Sequence, residues 1–95
     1  MQNDAATEEC VKALLCDGVK ALLAGDLETA KPLLRDHIKA TVGFESLGKA
    51  TGIQPKSLIR MFGVRGNPRA NNLFKVLGYL RKKTSFELRD VGVPT

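Results

Sequence analysis

Four side chains within a short stretch, Gln54, Lys56, Ser57 and Arg60, carry the chemistry of base-edge recognition in duplex DNA. Arg60 follows Lys56 by four positions, so a helix places both on one face. The guanidinium of Arg60 suits bidentate readout of a guanine, worth ~1–3 kcal/mol of discrimination. Lys56 suits guanine acceptors or a phosphate, and Ser57 is permissive. Gln54, just ahead of them, would cap the helix and reach a phosphate or a base edge. A second group suits the sugar-phosphate backbone instead. Arg65 and Arg69 flank an Asn-Pro turn, and Asn71 and Asn72 open a following helix whose N-terminal amides favour an anion. Lys49 reads equally as a backbone contact or a solvated lysine.

Such a set needs a rigid mount. Residues 44–62 read as two short helical patterns meeting at a glycine, with Gly48 four residues before Gly52 and Leu58 six after it. That spacing predicts a helix-turn-helix. A small residue at 48 lets the second helix cross closely, a glycine at 52 takes the turn, and Leu58 locks the pair together. Leu47 and Ala50 are expected inward on the first helix, 45–51. Leu58, Ile59, Met61 and Phe62 are expected inward on the second, 55–62. Pro55 stands at its first position, where a missing N–H costs nothing. The side chains of Gln54, Lys56, Ser57 and Arg60 would then face the major groove.

Charge is distributed to match. The chain of 95 residues has net charge +5. Residues 1–44 hold seven acids and five bases, whereas residues 45–83 hold nine bases and one acid, Glu45. The basic excess coincides with the motif, as an electrostatic footprint on a polyanion would. A hydrophobic fraction of 43% with 5% aromatics and no Trp implies an aliphatic core, which suits a small helical bundle in one domain.

The flanking elements follow from periodicity. Residues 1–6 read as disordered. Val11, Leu14, Leu15, Val19, Leu22 and Leu23 recur at helical spacing, with Thr7 as N-cap, Gly18 weakening the middle and Gly25 ending the helix. Asp26 caps a second helix running to about Thr41, with Leu27, Ala30, Leu33, Leu34 and Ile38 inward; Pro32 implies a kink or a late start, and Gly43 closes it. Residues 63–69 form a loop in which Asn67 caps the turn or the next helix. A last helix spans 70–82 with Leu73, Val76, Leu77 and Leu80 inward, supplemented by Phe74, and a solvated end at residues 81–83. Residues 85–91 alternate as a short strand. A lone edge strand needs a partner, and its own copy in a homodimer is the cheapest.

Other chemistries are weakly represented. Cys10 and Cys16 are six apart with a single His37, giving neither zinc spacing nor a disulfide framework, so reduced thiols are expected. His37 reads as a surface or semi-buried structural residue. No phosphate loop, nucleophile pattern or paired carboxylates point to an enzyme, a metal or a cofactor. The polar, acidic start and the lack of any long apolar run point to a cytoplasmic, bacterial-type protein, on the nucleoid when bound to DNA.

Residues 44–77 resemble the Xre/lambda-repressor-like helix-turn-helix domains. The run from Ser57 through the Gly66-Asn67-Pro68 loop to Arg69, followed by Asn72-Leu-Phe-Lys-Val-Leu77, narrows the likeness. It resembles the probable addiction-module antidote proteins, which are HigA-like antitoxins. Leu22-Leu-Ala-Gly-Asp-Leu-Glu28 and Phe86-Glu-Leu88 extend it to roughly residues 19–88. Departures are Gly48 where Ala is frequent, Ile59 where an aromatic residue is common, and Arg65 and Arg69 where small or acidic residues are common; the two arginines make the loop more basic. The resemblance implies an all-α, lambda-repressor-like five-helix domain over 19–83, a partly helical N-terminal extension over 1–18, and a short C-terminal β-strand and tail over 84–95. It implies a sequence-specific repressor that binds its operator, often as a homodimer, and inhibits a RelE-like toxin. A phage-type or general Xre regulator without a toxin is an alternative, as is a protein-interaction module on the same fold.

Overall fold

The computed structural model describes the backbone of residues 4–84 and the side chains from Glu9 to Thr84, and all regular structure among them is helical. Five helices occur: α1 (Asp4–Leu23), α2 (Leu27–Ala40), α3 (Gly43–Thr51), α4 (Pro55–Met61) and α5 (Ala70–Thr84). The expected strand over 85–91 and any pairing through it lie outside the described residues.

The start of α1 corrects two expectations. It begins at Asp4, so residues 4–6 are helical and Thr7 lies inside the helix rather than capping it. The helix runs unbroken through Gly18, as its periodicity predicts. Gly18 is buried because Leu34 of α2 occupies the space a β-carbon would need, its Cδ2 only 2.7 Å from that position. The glycine therefore trades helix propensity for close packing of α1 on α2.

The α1–α2 junction is set locally. Gly25 adopts φ +78, its N–H donates to the Leu22 carbonyl at 3.0 Å, and the Asp26 N–H donates to the Ala21 carbonyl at 2.8 Å. This pair of bonds satisfies two orphan carbonyls at the helix end and turns the chain. Asp26 then accepts the Thr29 N–H at 3.1 Å and the Thr29 hydroxyl at 2.6 Å, capping α2 as its side chain predicts. Thr29 holds the Asp26 carboxyl below its ordinary value through these two bonds. α2 begins at Leu27 and continues through Pro32, so the proline does not delay its start.

Every helix contributes to one core: Leu15 from α1, Ala30, Leu34 and Ile38 from α2, Leu47 from α3, Leu58 and Met61 from α4, and Val76 and Leu80 from α5. Phe62, one residue past α4, is the largest fully buried side chain. Aliphatic residues dominate, as the composition requires. Four apolar residues expected inward are not: Leu23, Ala50, Ile59 and Phe74 are exposed. In α1, α3, α4 and α5 the buried stripe is narrower than the count of apolar residues implied. No helix among the described residues is long and apolar enough to cross a membrane.

Candidate nucleic-acid interface

α3 and α4 meet at Gly52, whose φ of +76 lies in the left-handed region and whose N–H donates to the Gly48 carbonyl at 2.8 Å. Side chains with a β-carbon resist that conformation by about 1–2 kcal/mol. Thr51 braces the same end, donating its hydroxyl to the Leu47 carbonyl at 2.8 Å. Gly48 fits the crossing: a β-carbon there would stand 2.8 Å from the Ile53 carbonyl oxygen and 3.2 Å from the Pro55 ring. Pro55 opens α4, and the Gln54 carbonyl accepts the Leu58 N–H at 3.0 Å. Gln54 holds the N-cap position but its side chain makes no capping bond, contrary to expectation, and is left exposed.

α4 has two unlike faces. Leu58 and Met61, with Phe62 beyond the helix end, are buried. Lys56, Ile59 and Arg60 are exposed and Ser57 is half-buried. The placement of Ile59, 51% exposed, corrects the inward expectation. At about 100° per residue, Ile59 stands roughly a quarter-turn from Leu58 and nearly opposite Met61. Helical phase was thus the signal for its exposure, and apolar character alone masked it.

The remaining expected contact residues are also accessible. Lys49, Arg65, Arg69 and Asn71 are exposed, and Asn72 is half-buried. Lys49 and Gln54 line one shallow, open depression together with Glu45, the acid of this half. Among the described residues Lys49, Lys56, Arg60, Arg65 and Arg69 form no ion pair. At the helix end, Lys82 and Lys83 are exposed as expected, with Lys83 Nζ 5.9 Å from the Tyr79 ring centre. Asn67 does not open α5; the Arg69 carbonyl accepts the Leu73 N–H at 2.9 Å and fills that position.

The loop between α4 and α5 is folded tightly back on α4. Gly63 donates its N–H to the Arg60 carbonyl at 3.1 Å, and Gly66 donates to the Gly63 carbonyl at 3.0 Å. A β-carbon on Gly66 would collide with the carbonyl oxygens of Arg60 and Met61. Beneath the loop lies a residue absent from the expected set. Lys31 of α2 is only 3% exposed, and its Nζ donates to the Val64 carbonyl at 3.0 Å and the Gly66 carbonyl at 2.8 Å. No local pattern distinguishes it from the other lysines of the chain.

His37 is fully buried rather than superficial. Burial pushes its imidazole below the ordinary histidine value, only partly offset by the hydrogen bond to the Val11 carbonyl. Among the described residues, no His, Cys, Asp and Glu cluster could hold a metal ion, and Cys10 and Cys16 form no disulfide.

The chain matches no protein-family model, no curated protein and no solved structure.

Proposed function

We propose that this protein is a sequence-specific DNA-binding transcriptional regulator, with α3 and α4 acting as a helix-turn-helix and α4 lying in the major groove. One observation carries the reading: α4 buries Leu58 and Met61 while exposing Lys56 and Arg60, cations without ion-pair partners among the described residues. Ordinary solubility does not require a basic excess confined to residues 45–83. Duplex DNA does, because phosphate neutralisation dominates its affinity. In this reading Arg60 and Lys56 take guanine acceptors and Ser57 and Gln54 adapt to neighbouring edges. Ile59 offers an apolar contact of the kind a thymine methyl accepts. Lys49, Arg65, Arg69, Asn71 and Asn72 hold phosphates and fix register.

The likeness to HigA-like antitoxins extends the proposal to a homodimeric autorepressor on a lambda-repressor-like domain that neutralises a RelE-like toxin. Selection of preferred duplexes from a random pool tests the DNA reading. Enrichment of a palindrome with half-sites one helical turn apart supports a dimeric base reader, and a pool that stays random overturns it. Truncation before Ser85 tests the strand: an intact dimer in sedimentation removes its role in pairing.

A second reading, protein docking, is favoured by the exposure of Val64 and of Phe74, which is 67% exposed. Replacing Phe74 by Ser separates the two: on the DNA reading duplex binding is retained, and on the docking reading the chain binds no duplex and loses its protein partner.

A further inference from the structure

We propose that Lys31, on α2 rather than on the groove-facing helix, is the positioning residue that sets Arg65 and Arg69 on the DNA backbone. The inference rests on the reading of residues 63–69 as a phosphate-contacting loop. An ammonium carries three N–H donors and no acceptor. Two of them go to the carbonyls of Val64 and Gly66, which bracket Arg65 in the chain. The third side faces the exposed Glu28, whose carboxylate is 3.7 Å away. That ion pair is half in solvent and contributes little. The two carbonyl bonds are the substantial ones, because a charged donor strengthens a hydrogen bond and burial leaves no water to replace it.

The geometry constrains the loop from two sides. Gly66 is pressed against the Arg60 and Met61 carbonyls with no room for a β-carbon, and Lys31 draws the carbonyls of Val64 and Gly66 inward. Backbone carbonyls directed inward at positions 64 and 66 leave the Arg65 and Arg69 side chains exposed. The cation is buried without a buried carboxylate, so removing it leaves two carbonyls without their donor and costs stability as well as loop placement. Loop placement is the part of its contribution that DNA binding reads.

The test is a double-mutant cycle on the full chain, read as binding to labelled random-sequence duplex DNA over a range of salt. Lys31→Met is expected to keep the helical circular dichroism below its melting transition, to melt at a lower temperature, and to weaken binding several-fold. Its salt slope should be shallower by up to about two, one for each arginine displaced. Added to Arg65→Ala/Arg69→Ala, it should cost nothing more, because the side chains it positions are gone. Equal losses in both backgrounds, or no loss in the wild-type background, overturn the proposal. If Arg65→Ala/Arg69→Ala binds as tightly as wild type, the loop reading itself fails. Should Lys31→Met not fold, Lys31→Gln, which keeps two N–H donors without charge, carries the same cycle; it must weaken binding in the wild-type background and remain silent in the double variant.

Discussion

His37 donates its Nδ1–H to the carbonyl oxygen of Val11 at 2.8 Å, tying α2 to α1 across 26 positions of sequence. With Nδ1 so engaged, Nε2 is the acceptor, and the Thr84 hydroxyl lies 3.3 Å from it at the end of α5. One neutral imidazole therefore joins three helices inside the core.

This arrangement makes stability depend on pH. The folded-state value of His37 is lowered by burial, so the unfolded chain binds more protons just below pH 6.5. Stability is expected to be level above about pH 7 and to fall as pH drops through 6.5, with a slope of at most about 1.4 kcal/mol per pH unit. It levels off again once the folded-state value is passed. Urea unfolding between about pH 5 and 8 measures this, and a flat profile that matches His37→Gln would refute it. Asp26 acts lower, in the carboxylate range, where loss of its cap weakens α2 further as pH falls.

The neighbours Leu58 and Ile59 give a sharp contrast on one short helix. Leu58→Ala removes a fully buried side chain and is expected to cost about 2–5 kcal/mol. Ile59→Ala should stay within about 0.5 kcal/mol, because its side chain already faces solvent. Chemical denaturation of both variants checks the orientation of α4 directly.

Gly66→Ala is expected to destabilise by about 1–3 kcal/mol, since the added carbon meets backbone rather than a movable side chain. A Gly66→Ala variant that melts like wild type and binds DNA unchanged would show that the loop has another conformation available.

Arg60→Ala should lower the preference for a selected duplex over random DNA by about 1–3 kcal/mol at one base position. Arg69→Ala should instead weaken binding evenly across sequences and reduce the salt slope by about one. Competition binding separates them. An unchanged specificity ratio for Arg60→Ala removes it from base readout.

Much of the local architecture was legible in the chain. Gly25, Asp26, Gly52 and Pro55 act through bonds spanning at most a few positions, so each marks its own helix boundary wherever the rest of the chain lies. Helical content, the aliphatic core and the basic excess over residues 45–83 follow from periodicity and composition in the same way. Tertiary structure alone decided which apolar residues the core had room for, leaving Ile59 and Phe74 outside. It also decided the fates of Lys31 and His37, whose partners lie 26 to 47 positions away. A buried amine and a solvated one are the same residue in sequence; only the packing of distant backbone carbonyls around Nζ separates them.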